Sequence, residues 1–226
     1  MAEAAAMARG AAIASDNIEH LCHMDEIMGA GQVTIAGDYA YLGYMYGPEG
    51  TSILDISDPR KPKMLSTLML DNPQAHSHKV RVEGDIMVVN SEHRPQRGLR
   101  FEPGFEEGGF RIYDIKDRTN PKLITFHKTG GKGVHRFGME GNYVYITTEM
   151  DGFVGGILVI YDISNPSSPQ EVSRWWMPGQ YTAAGEEPNP LGKETRLHHA
   201  LPSGDRLYAG CWMSGSDIID IDDITN

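Results

Sequence analysis

The apolar residues of the chain fall into short runs separated by turns rich in Gly, Asp, Asn and Pro. In "ILVIYDISNPSSPQ", residues 157–170, a nearly continuous apolar run gives way to Asp, Ser, Asn and two prolines. Runs of this length bounded by turn residues predict β-strands, and the lack of alternation predicts a strand packed on both faces. Proline then fixes φ and removes a donor while the Asx side chains bond nearby amides, so the chain must leave the sheet.

The same segment recurs as "TSILDISDPRKPK" at 51–63, "GFRIYDIKDRTNPK" at 109–122 and "SDIIDIDDITN" at 216–226. Asp55, Asp114, Asp162 and Asp220 align. Upstream of each copy stands a hairpin signal, "VTIAGDYAYLGY", "VRVEGDIMVVNS", "FGMEGNYVYITT" or "ALPSGDRLYAGC", with Gly-Asp or Gly-Asn between strand-like runs. The turn glycines Gly37, Gly84, Gly141 and Gly204 are 47, 57 and 63 residues apart, the excess lying in loops such as "HRPQRGLRFEPGFEEGG" and "MPGQYTAAGEEPNPLGKETR". Each unit reads as four antiparallel strands, and a repeated four-stranded unit predicts an all-β fold, a β-propeller of about four blades over residues 17–226. Residues 1–16 read as a disordered or short helical tail.

The first residues of the repeat region, "NIEHLCHMDE", resemble an outermost strand without its own blade, and the fourth unit lacks such a strand. A four-bladed ring closed by that strand is one arrangement. The favoured one is a larger ring truncated at the C-terminus, because the chain stops inside the fourth turn, before its expected proline. Open blade faces would then invite self-association.

These units resemble the LVIVD repeat family of β-propeller proteins, named for runs such as "ILVIYDI". The resemblance covers roughly residues 17–226 and rests on the "DIxDxxxP"-like turns and their hairpins. It implies the propeller fold, and rings commonly of more units than these. It does not imply a function, since propellers host enzymes and binding platforms alike.

Six residues before the turn glycine stand His78, His135 and His198, with Gly31 in the first unit. This position begins the innermost strand, so imidazoles from successive blades are expected to converge on the axis. Eight residues after the glycine come Glu92 and Glu149, with Met45 and Trp212 in the other units. A carboxylate there can lie beside its own repeat's histidine and fix its tautomer for ligation. Such a set suits Fe, Zn, Mn or Cu as divalent ions. It is similar in architecture to the four-histidine iron site of carotenoid cleavage oxygenases. The competing expectation is structural: a residue recurs because the repeat does, and an inter-blade histidine can simply bond the next loop.

His199 and Trp176 are the candidate pocket residues, one beside His198 and the other in "SRWWMPGQY". "HLCH" places His20 and Cys22 on one strand face and His23 on the other, a poor zinc pattern. "KTGGKGVH" lacks the P-loop pattern, and no G-x-S-x-G motif occurs. A lactonase-like hydrolase holding a cation by carboxylates is disfavoured, because the repeated aspartates belong to outer turns.

A formal net charge of −11 argues against nucleic acid or an anionic membrane as main partner. No apolar run approaches the length that spans a bilayer. Two cysteines, Cys22 and Cys211, make no disulfide framework, and without a secretory signal the expectation is cytoplasmic. The leading functional expectation is a metal-dependent enzyme, an oxidoreductase or lyase, acting on a small organic substrate at the central channel. Its alternative is a non-catalytic protein-interaction platform with structural histidines.

Overall fold

The computed structural model describes residues 17–94, 104–188 and 195–225, so the 1–16 tail and parts of both long loops lie outside the described residues. The fold is all β. Sheet 1 runs β1 (Ala30–Ala36), β2 (Tyr39–Tyr44), β3 (Glu49–Asp55) and β4 (Lys63–Met69), in that spatial order. Sheet 2 begins with two short pieces, β5 (Ala75–His76) and β6 (Val80–Glu83), both paired to β7 (Ile86–His93), and continues through β8 (Gly109–Asp114) and β9 (Lys122–Lys128). Sheet 3 is β10 (Val134–Glu140), β11 (Tyr143–Thr148), β12 (Ile157–Asp162) and β13 (Gln170–Trp175). Sheet 4 has three strands, β14 (His199–Ser203), β15 (Arg206–Gly210) and β16 (Ser216–Asp220).

The repeated residues carry repeated geometry. The turn glycines Gly37, Gly84, Gly141 and Gly204 take φ of 57°, 58°, 57° and 62°, the left-handed region that a tight hairpin needs. Asp55, Asp114, Asp162 and Asp220 each accept the amide two residues on, at 2.9, 2.9, 2.7 and 3.0 Å. These are Asx turns that stop the third strand, and they commit the aspartates to structure.

Three buried cores lie between neighbouring sheets. Tyr41 and Ile53 of sheet 1 meet Val80 of sheet 2; Val88 and Ile112 of sheet 2 meet Phe137 of sheet 3; Tyr145 and Ile160 of sheet 3 meet Ala200 of sheet 4. One set of repeat positions therefore builds every interface. The fourth instance stays open. Ile53, Ile112 and Ile160 are 0%, 0% and 3% exposed, whereas their equivalent Ile218 is 67% exposed. On the receiving side Val80, Phe137 and Ala200 are at most 1% exposed, against 56% for Val33. Among the described residues sheets 1 and 4 share no packed interface. The N-terminal segment does not complete sheet 4 either: Cys22 and Glu19 bond Pro59 and Arg60 in the outer turn of sheet 1.

Candidate metal centre at the sheet axis

The innermost strand of each of the first three sheets loses its register at the axial position. In β1 the irregularity falls at Gly31, in β10 it falls at His135, and in sheet 2 the strand breaks between β5 and β6, around His78. A bulge re-aims a side chain that plain alternation would send elsewhere, which is how histidines sharing the apolar parity of their strands still turn inward. The rings form a continuous row: His76 on His78 at 4.1 Å, His78 to His135 at 5.4 Å, and His135 to His198 at 5.1 Å between centroids.

The break in sheet 2 is built by two residues. Gly43 lets β2 approach closely, since a Cβ there would lie 2.5 Å from the His78 carbonyl carbon. Asn90 then fills the broken ladder. Its Oδ1 accepts the Lys79 amide at 2.8 Å, and its Nδ2 donates to the Val134 carbonyl at 2.9 Å. With the amide so oriented, its other N–H is aimed at His78 Nδ1, 3.2 Å away, which must present a lone pair. His78 is accordingly held neutral: burial pushes its pKa far below the ordinary range, and the neighbouring His76 and Lys79 add to the effect.

His76 pairs directly opposite Glu92 across β5 and β7. Its Nδ1 donates to the Met45 carbonyl at 3.2 Å, and Nε2 lies 2.6 Å from Glu92 Oε2. Glu92 also accepts from His135 Nδ1, at 2.9 and 3.0 Å to its two oxygens, and lies 3.9 Å from His78 Nδ1. Burial raises the Glu92 pKa, but the hydrogen bonds from His135 and His76 outweigh it and bring the carboxyl down to about 2. The buried carboxylate is therefore ionised. The basic side chains nearby feel the same confinement: Lys79 is lowered to about 8, by burial and then by Arg136 and Arg81.

Among the described residues one set of three His, Cys, Asp or Glu brings its ligand atoms within 4.8 Å of one another, and it is His76, His78 and Glu92. His78 was in the sequence-derived trio; His76 was outside the register and enters because the strand breaks. Its sequence signal is the His-x-His spacing. His135 joins through the carboxylate, and it bonds Glu92 of the preceding repeat rather than Glu149 of its own. Glu149 faces Lys132 instead, accepting its amide at 3.2 Å and pairing with its Nζ at 3.4 Å. His198 accepts from Arg136 Nε at 3.1 Å and packs edge-on against Trp212, its pKa drawn down to about 4 by burial and then by Arg136.

A cleft of about 260 Å³ opens beside Glu92 and His135, and Arg94, Lys132, Arg196 and Trp212 are among its lining residues. Trp212, at the repeat position of Glu92, is among the described residues the one non-glycine with positive φ, 46°. Backbone strain of this kind gathers at functional sites. The sequence-derived pocket residues lie elsewhere. His199 donates from Nε2 to the Phe137 carbonyl at 3.2 Å, and Trp176 donates to Glu186 at 3.3 Å within a cluster with Phe153 and Tyr181. Of the "HLCH" residues, His23 pairs with exposed Asp25.

The four sheets, joined by consecutive antiparallel strands around a shared axis, define a β-propeller. Comparison with solved structures agrees. The computationally designed propeller Ika4 aligns with a TM-score of 0.56 at 10% identity, over 89% of this chain and 98% of Ika4. The designed propeller Ika8 aligns with a TM-score of 0.53 at 11% identity, over 84% of this chain but 45% of Ika8. The LVIVD repeat model matches residues 29–69 and 137–176, so sheets 1 and 3 are similar to the LVIVD repeat. No curated protein matches the chain.

Proposed function

We propose that the axial cluster is a divalent transition-metal centre, and that the protein acts through it on a small organic anion in the adjoining cleft. The observation that carries this reading is a buried, ionised carboxylate with two imidazoles, all three donor atoms within 4.8 Å. Two histidines and one carboxylate with positions left open is the donor set of non-haem iron oxygenases, and it also accepts Zn, Mn or Cu. The residues fit such an ion. The Met45 carbonyl holds a His76 proton on Nδ1, so that loss of the proton shared with Glu92 would free Nε2 for ligation, and His78 Nδ1 would take the ion in exchange for the Asn90 N–H that it accepts. A bound ion would supply Lewis acidity or a site for oxygen activation. His135, oriented by Glu92 and lining the cleft, is placed to exchange a proton with a substrate. Arg94 and Arg196 favour an anion, Lys132 being paired with Glu149 on the same lining, and the small cleft favours few non-hydrogen atoms.

The 2.6 Å contact between His76 and Glu92 favours a second reading, in which a proton occupies the place of the ion and the protein is an interaction platform. Elemental analysis of tag-free protein, before and after reconstitution with Fe(II), Zn(II), Mn(II) or Cu(II), separates the two. The metal reading expects about one ion per chain, lost on His76→Ala and on Glu92→Ala. Protein without metal after reconstitution, or with the same content in both variants, overturns it.

A further inference from the structure

The inter-sheet cores identify a surface independent of the metal centre. At each buried interface the preceding sheet presents an aromatic or branched residue on its second strand and an isoleucine on its third: Tyr41 with Ile53, Val88 with Ile112, Tyr145 with Ile160. Sheet 4 presents Tyr208 and Ile218 at the same positions, 50% and 67% exposed. The following sheet receives them on its first strand, and in sheet 1 the receiving residues Val33 and Ile35 are 56% and 66% exposed. The molecule thus carries one presenting face and one receiving face of the same interface, both apolar and both uncovered. An exposed pair of this kind marks an interaction site.

We propose that these faces pack head to tail between two copies of the chain, so that two four-sheet arcs close one ring through two identical seams. The complementarity is that of the three interfaces already formed within the chain. The arc has a fitting length: it aligns along 45% of the longer designed propeller, so two such arcs nearly account for that propeller's length. A two-fold ring also satisfies both faces of both copies and leaves nothing to propagate, whereas an open head-to-tail chain would grow into fibres.

Sedimentation velocity of the full chain from about 1 to 100 µM tests this. The expected species is a discrete dimer, with no larger assembly. Val33→Lys/Ile35→Lys and Tyr208→Glu/Ile218→Glu should each be monomeric with an unchanged circular-dichroism spectrum. An equimolar mixture should regain the dimer, because it joins one native seam with one Lys–Glu seam. A monomeric wild-type chain at 100 µM overturns the proposal. So do open-ended growth and a dimer that survives both double variants.

Discussion

Glu92 satisfies two imidazoles from different sheets, and this follows from packing rather than from local sequence. Counting from the turn glycine picks out the glutamate and three histidines, because both sit at fixed distances from a tight turn. Counting does not show that the carboxylate reaches the next repeat, which depends on how neighbouring sheets are set. It also passes over His76, which lies two residues ahead of the register. A second histidine gives a pH test. Burial lowers the His199 pKa to about 4, against an ordinary value of about 6.5 that the unfolded chain retains. Between these values the unfolded chain binds more protons, so stability falls as pH drops from about 6.5 to about 4 and is unaffected by this group above that window. The loss is on the order of 2 kcal/mol once its partial exposure is allowed for. His199→Gln keeps a donor for the Phe137 carbonyl and should flatten this part of the profile in urea unfolding at pH 7, 5.5 and 4.5. An unchanged slope contradicts it.

Most strands and hairpins were legible, since glycine, Asx and proline punctuate short apolar runs in the same order each time. The innermost strand was less so. The sequence predicts one continuous strand there in every unit, yet sheet 2 divides it into β5 and β6. The cause is remote from the break: Gly43 lies on a strand of the preceding sheet, and Asn90 fills the gap from β7. Gly43→Ala would put a methyl group 2.5 Å from the His78 carbonyl carbon and 2.7 Å from its oxygen. Overpacking of this kind should cost about 1–3 kcal/mol in urea unfolding and lower metal uptake in the same preparation. Full uptake in a destabilised variant would show that the position of the break is unimportant to the centre.

For the molecule as a whole, the four repeats are equal in sequence and unequal in environment. Ile112 and Ile218 occupy the same repeat position, one fully buried and the other 67% exposed. Ile112→Ala should cost about 2–5 kcal/mol. Ile218→Ala, measured dilute enough that copies do not meet, should stay within about 0.5 kcal/mol. Equal costs would mean that the face is covered within the single chain. The repeat register, read from sequence, made this comparison available, but exposure at the seam required the packed sheets. Unequal environments also constrain how the protein can change. Gly31 stands where the other three units carry histidine, and a Cβ there would meet Met45 Cγ at 2.6 Å. A fourth imidazole therefore requires the Met45 side chain to move aside or to shrink, and the Met45 backbone carbonyl would continue to hold His76 in either case.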